Sequence, residues 1–261
     1  MTVKEREKNE QFAIDHTALM FNTYEKRIQN SYERTIKYGV GCVTPLYVGY
    51  PKDLEKVKIE VYPEDIVTAI FDRSEGNTAI LESASYKSPG GGFMRGRLNE
   101  EESICRASNL YNVISKFDED FYRWNNDHLE YGYYCNRALF VPDIVFGLEG
   151  HMPTRCSVIV CAPPNVAAAS AAAKARHFKF KLVDNRRALY ERIRFAKLIA
   201  EENKIETLIV GPYGCGDNGQ NPREVADFFA DVFKNTVVKR LIFAISREDE
   251  RNYTAFAERL S

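Results

Sequence analysis

Apolar residues recur along this chain at two spacings, and the switching between them predicts its elements. Between about residues 4 and 30, Phe12, Ala13, Thr17, Met20, Phe21 and Tyr24 are spaced among charges as on one face of a helix, so an amphipathic N-terminal helix is expected. Thr44-Pro45-Leu46-Tyr47-Val48 reads as a short extended piece. Val57-Lys58-Ile59-Glu60-Val61 alternates with period two, as a half-exposed strand does. Pro63 suits the first position of a helix running through Ile66, Ala69 and Ile70. Gly76-Asn77 turns the chain into Thr78-Ala79-Ile80-Leu81, a short buried strand. Ile104, Ala107, Leu110, Tyr111 and Ile114 return to helical spacing. Residues 117 to 136 mix aromatic and charged side chains and predict a helix, then a loop, over a domain edge.

The second half is dominated by continuous apolar runs. Ala138 to Phe146 predicts a strand broken at Pro142, and Ser157 to Ala162 a strand covered on both faces, stopped by Pro163-Pro164. The Ala-rich segment 166–175 predicts a helix. Tyr190, Ile193, Leu198 and Ile199 mark a longer one. Glu206 to Val210 and Lys239 to Ile245 are two further strands. Between them Asn221 caps, and Pro222 opens, another helix. Strands alternating with helices predict an α/β layered fold around a largely buried sheet.

With 261 residues, the chain fits one domain spanning 1–261, with about 1–55 as an N-terminal helical extension packed on it. A net charge of -1 gives no global basic field, which argues against extended nucleic-acid binding by bulk electrostatics. The charged start, Met-Thr-Val-Lys-Glu-Arg-Glu-Lys, lacks the apolar core of a signal sequence, and no run approaches membrane-helix length. Cys42, Cys105, Cys135, Cys156, Cys161 and Cys215 contain no CxxC pair, so reduced structural thiols in a cytoplasmic protein are expected. The four histidines lack metal-ligand spacing. Cys105 reads as a small apolar helix residue rather than a nucleophile. Trp124 and its neighbouring tyrosines read as packing, with room for one to line a pocket.

Two stretches carry candidate chemistry. Gly90-Gly91-Gly92 follows the Thr78 strand, and Glu100-Glu101-Glu102 follows shortly after. Glycine backbone approaches a ligand closely, loop amides hold phosphate oxygens, and a nearby carboxyl can serve as a general acid. The bland alternative is a loop and a capping box, with Asn99 as cap and Glu102 three residues on. Crowded acids also raise one another's pKa, which suits a proton donor. The second stretch, Gly211-Pro212-Tyr213-Gly214-Cys215-Gly216-Asp217-Asn218-Gly219, joins a buried strand to a helix start. That is the geometry of a diphosphate cradle; the bland alternative is a flexible connection. No Gly-Lys-Ser/Thr follows, so it is not a Walker loop.

Ser88-Pro89-Gly90-Gly91-Gly92-Phe93, continuing through Cys105-Arg106 to Leu110-Tyr111, resembles the signature of the bacterial-type poly(ADP-ribose) glycohydrolases, a macrodomain family. That signature is three glycines, a short spacer, then Gln-Glu-Glu. The likeness continues at Val141-Pro142-Asp143, at Cys161-Ala162-Pro163-Pro164-Asn165, and from Gly211 to Val225. It implies a three-layer α/β/α macrodomain with a mixed central sheet and an ADP-ribose cleft at the strand ends. It implies that Glu102 is the catalytic acid and that Glu101 holds the ribose beside the scissile bond. Gly90, Gly91 and Gly92, with Phe93 and Glu100 beside them, would shape the cleft around that ribose. Gly214, Cys215, Gly216, Asp217, Asn218 and Gly219 would line the diphosphate.

Three departures stand out. Glu100 replaces a Gln. Leu81-Glu82-Ser83-Ala84-Ser85 replaces a run close to Leu-Asn-Phe-Ala-Ser. Asp217-Asn218 replaces a small residue and a Phe.

The implied reaction is hydrolysis at the anomeric carbon of an ADP-ribose unit, with no metal or redox cofactor. The leaving group is another ADP-ribose unit, a protein side chain, or a nucleobase or other small acceptor. Two other functions fit the residues: a reader that binds ADP-ribose without cleaving it, and an interaction protein keeping only the fold. The intact Glu101-Glu102 pair and two full glycine loops favour the enzyme.

Overall fold

The computed structural model describes residues 1–177 and 181–260. In chain order the elements are α1 (Val3–Arg34), β1 (Ile36–Gly39), β2 (Lys58–Tyr62), α2 (Ile66–Arg73), β3 (Thr78–Ser83), α3 (Glu100–Arg106), α4 (Leu110–Ile114), α5 (Arg123–Asp127), β4 (Arg137–Phe146) and β5 (Thr154–Cys161). Then follow α6 (Val166–Ala175), α7 (Leu182–Glu202), β6 (Thr207–Val210), α8 (Pro222–Val232), β7 (Arg240–Ala244) and α9 (Glu250–Leu260). The strands form one mixed sheet of order β1-β4-β5-β3-β6-β7-β2. β4 runs antiparallel to both neighbours, and the pairs from β5 to β2 are parallel.

Successive strand residues serve opposite faces. Ala79, Leu81, Leu208, Val210, Leu241 and Phe243 pack with Leu189, Ile193, Phe229 and Phe256 of α7, α8 and α9. Ile80, Ile209, Ile242, Val158 and Val160 pack with Ile28, Ile70, Ile104 and Val113 of α1, α2, α3 and α4. This is the expected three-layer α/β/α arrangement. Burial on both faces explains why the central strands read as unbroken apolar runs.

Several local expectations change. α1 buries Ala13, Ile28 and Ser31, whereas Phe12 and Phe21 stay exposed. The helix lies against α4 and β4, and Phe12 lies on the surface under the Arg106 guanidinium. Residues 44–48 are irregular. The strand of this region is β1, so the first 55 residues add a sheet edge as well as a helix. Asp65, not Pro63, sets the start of α2, accepting the Val67 and Thr68 amides.

The helix expected from Ile104 to Ile114 is two helices. Ser108 Oγ donates back to the Ile104 carbonyl, and Asn109 Oδ1 accepts the Val145 amide. The break thereby docks onto β4. Pro142 does not end β4. A bulge between Val141 and Ile144 absorbs it, with Asp143 left-handed at φ 57° and held by Arg34 of α1. α9, which carried no assignment in the sequence, lays Phe256 on Phe243 with centroids 5.0 Å apart.

Candidate active site

A cleft of about 620 Å³ opens where β3, β6 and β7 end. Its walls are the segments that follow those strands, joined by Gly91, Gly92 and the start of α3. Clefts at the carboxyl ends of parallel strands are where open α/β sheets bind ligands, and this volume suits a small molecule.

The triple glycine serves the carboxylates first. Gly91 is left-handed at φ 58°, and a Cβ there would stand 2.5 Å from Glu101 Oε2 and 2.9 Å from Glu102 Oε1. Any side chain would push both acids aside. The Gly92 amide donates to Glu102 Oε1 at 2.7 Å, and the Asn99 amide donates to Glu102 Oε2 at 2.9 Å. Glu102 is thus the capping-box residue of α3 and also a wall of the cleft, with only 3% of its surface exposed. Capping α3 and lining the cleft are compatible in this one side chain.

Glu101 accepts the Ser85 amide on Oε2 at 2.8 Å, while its Oε1 is buried without a partner. Burial pushes the Glu101 carboxyl well above the usual carboxylate range. The charges of Glu82 and Glu102 add to this, and the Ser85 amide opposes it. Glu100 turns away toward β6, where a Cβ on Gly211 would overlap its carboxylate. Burial pushes Glu100 up to about 7, against the Ser83 amide. For Glu100 the rise comes from desolvation, and for Glu101 desolvation leads and neighbouring charges add to it.

The second loop divides its amides. Gly214 donates to Ser83 Oγ at 3.0 Å, Cys215 to the Pro212 carbonyl and Gly219 to the Gly216 carbonyl. The amides of Gly216, Asp217 and Asn218 carry no hydrogen bond among the described residues, and all three residues line the cleft. Asp217 also bridges the two loops. Its carboxylate pairs with Arg97 at 2.6 Å and accepts Asn99 Nδ2 at 3.3 Å. Asn218 Oδ1 accepts Asn165 Nδ2 at 2.9 Å, tying the loop to the start of α6.

Of the expected site residues, Gly91, Gly92, Glu100, Glu101, Glu102, Gly214, Gly216, Asp217 and Asn218 line one cleft. Four do not. Gly90 lies on Tyr111 and Cys105, and Phe93 is buried against Tyr111 and His16. Cys215 points its thiol at the Tyr213 carbonyl, and Gly219 faces Val166. Gly90, Phe93 and Cys215 fold inward, and Gly219 is exposed.

Sequence reasoning missed Ser85, Tyr86 and Asn165 as lining residues. Asn165 sat at the end of a quoted block without a role. Tyr134 is the pocket-lining member of the aromatic segment, stacked on Tyr86 with centroids 4.3 Å apart. Trp124 packs over the Arg137 guanidinium, as expected of a structural ring.

The model of the family "Microbial-type PARG, catalytic domain" matches residues 13–147, more than half of the chain. The crystal structure of poly(ADP-ribose) glycohydrolase from Thermomonospora curvata aligns with a TM-score of 0.82 at 20% identity, covering 97% of this chain and 100% of that one. Bound to the inhibitor ADP-HPD, that enzyme aligns at 0.78, with 20% identity and the same coverage. Poly(ADP-ribose) glycohydrolase from Deinococcus radiodurans in complex with ADP-ribose gives 0.73 at 22% identity, covering 90% of this chain and 97% of that one. No curated protein matches the chain. At these identities the structural likeness shows a shared fold.

Proposed function

The chain belongs to the microbial-type PARG catalytic-domain family, and from that premise we propose that it is a macrodomain-type ADP-ribosyl glycohydrolase spanning residues 1–261. It hydrolyses the glycosidic bond of poly(ADP-ribose) or of an ADP-ribosylated protein or nucleic-acid acceptor. One observation carries this reading: Glu102, with both oxygens held by backbone amides, shares a cleft with the open amides of residues 216–218.

In this scheme the diphosphate lies on those open amides, which suit anionic oxygens. The ribose to be released then reaches Gly91, Gly92 and the acids, held before reaction begins. Ile66 and Ile245 offer an apolar wall to the adenine. Glu102 gives its proton to the leaving oxygen as the bond from the anomeric carbon to that oxygen breaks. Water adds to the same carbon and returns a proton to Glu102. Glu101 accepts from the ribose hydroxyls beside that bond.

We place the protein in the cytoplasm. Its six cysteines are free thiols, the state a reducing compartment maintains. No helix among the described residues is long and apolar enough to cross a membrane.

The test is incubation with poly(ADP-ribose), mono-ADP-ribosylated protein and mono-ADP-ribosylated nucleic acid, reading released ADP-ribose. Release from at least one is expected. A protein that binds ADP-ribose and releases none from any of the three is a reader.

A further inference from the structure

Beneath the cleft lies a carboxyl that the proposed mechanism leaves unused. Glu82, near the end of β3, shares a face with Ile80 and therefore points into the layer of α3. It is 0% exposed, and neither carboxyl oxygen has a hydrogen-bond partner among the described residues. Two more unpartnered buried atoms belong to groups that feel it, Glu101 Oε1 and the Tyr122 hydroxyl.

The titratable groups around Glu82 are Glu100, Glu101, Glu102 and Cys105 of α3, and Tyr122 of the turn Asp118–Tyr122. No lysine or arginine is among the groups acting on it. A fully buried carboxylate without a cation is prohibitively costly, so the group is neutral. Burial, followed by the charges of Glu100 and Glu102, pushes it well above the usual carboxylate range. A neutral carboxyl carries one O–H that must find an acceptor, and Glu101 Oε1 is an acceptor left over.

We propose that Glu82 is a positioning residue: a protonated carboxyl that donates its O–H to Glu101 Oε1 and holds the other Glu101 oxygen on the Ser85 amide, beside the cleft. This rests on the glycohydrolase reading only in giving Glu101 a ribose to hold. The two carboxyls share one proton, so together they carry at most one negative charge. The resemblance places an asparagine at this position, which is also a neutral donor. Glutamate fills the same part only while protonated, which makes the arrangement sensitive to pH in this chain.

Glu82→Gln keeps a donor that cannot ionise, and Glu82→Leu removes it. Because the folded-state pKa is raised, the stability tied to neutral Glu82 is fully present below the unfolded value of 4.5 and is lost as pH rises toward the folded value. The melting temperature of Glu82→Gln should therefore exceed that of the parent by a margin that widens from pH 5 to pH 8. A margin that stays flat overturns the proposal. In turnover, the alkaline loss set by the Glu102 proton is common to both proteins, and the parent should lose activity at a lower pH than Glu82→Gln. Glu82→Leu should lose about ten-fold, the size of one charge-assisted hydrogen bond. If leucine and glutamine behave alike, Glu82 only fills space. Should Glu82→Leu fail to fold, the melting comparison with Glu82→Gln still decides. If the parent cleaves no substrate, the glycohydrolase reading falls, and the melting comparison still judges Glu82.

Discussion

Glu102→Gln separates the capping contacts of Glu102 from the proton transfer proposed for it, and the structure sets the size of the first. Glutamine has one oxygen and one NH2 where glutamate has two oxygens. It can accept from either Gly92 or Asn99 but not both, because the NH2 would face a second N–H donor. One backbone donor is left unsatisfied in a nearly buried place, at a cost of about 1–3 kcal/mol. Each kcal/mol lowers the melting temperature by about 2–4 °C in a chain of this length. The variant should therefore melt several degrees below the parent. That loss does not touch the rate, since a domain stable by about 5–15 kcal/mol stays folded at 25 °C after losing a few. Loss of the proton donor does: turnover should fall by about 10²–10⁴-fold. Affinity for ADP-ribose should hold nearly constant, because in the proposed scheme the diphosphate lies on amides of the other loop. The assay is released ADP-ribose under saturating substrate, with calorimetric binding and a melting curve on the same preparation. Turnover within ten-fold of the parent, alongside the lowered melting temperature, would return Glu102 to a capping role alone.

Gly216→Glu should fold normally, since a Cβ there meets nothing within 4 Å, yet lose ADP-ribose binding by at least about ten-fold as a like charge enters the open amides; undiminished binding in calorimetry would move the diphosphate elsewhere. Asp217→Ala removes a carboxylate beside those amides and frees Arg97, so the Kd for ADP-ribose should fall by roughly two- to ten-fold, with little change in melting because the pair is exposed. Weaker binding would mean that Asp217 itself serves the ligand. Glu100→Gln should keep turnover and change its pH dependence. Glu100 is raised to about 7, so its contribution to stability is complete below the unfolded value of 4.5 and gone above about 7. The variant should thus gain melting temperature over the parent at pH 8 and not at pH 4. Complete loss of turnover with binding intact would make Glu100 a direct participant.

The layered fold was legible because its central strands are buried on both faces and read as apolar runs. β1 escaped because four residues, Ile36–Gly39, carry too little pattern to stand out. The split between α3 and α4 depends on Asn109 accepting the distant Val145 amide while Ser108 bonds back to Ile104, which periodicity does not record. The same holds for the site. The two glycine loops and the acids could be named from their order, but which loop amides remain open depends on turn bonding inside 211–219. Cys215 and Gly219 lie outside the cleft lining on that account, as do Gly90 and Phe93, which fold inward beneath the first loop. Glu82 stood out in the sequence only as a departure from the family's asparagine. Only the covering by α3 shows it to be a buried acid.

On a ribosome, β3 emerges long before either strand that will flank it. Its neighbours are β5 and β6, and β2 waits for β7, near the end of the chain. Only β1 and β4 can pair within the first 146 residues. The nascent chain thus carries open strand edges until β5 and β6 emerge, a state prone to aggregation. A fragment ending near residue 147 would contain Glu82, Glu100, Glu101 and Glu102 with neither of the strands that fix β3. The acids therefore reach their working arrangement only when the late strands insert. Recovered activity after dilution from denaturant would then report closure of the whole sheet, and truncation from the C-terminal side should abolish it well before any of the four carboxylates is lost.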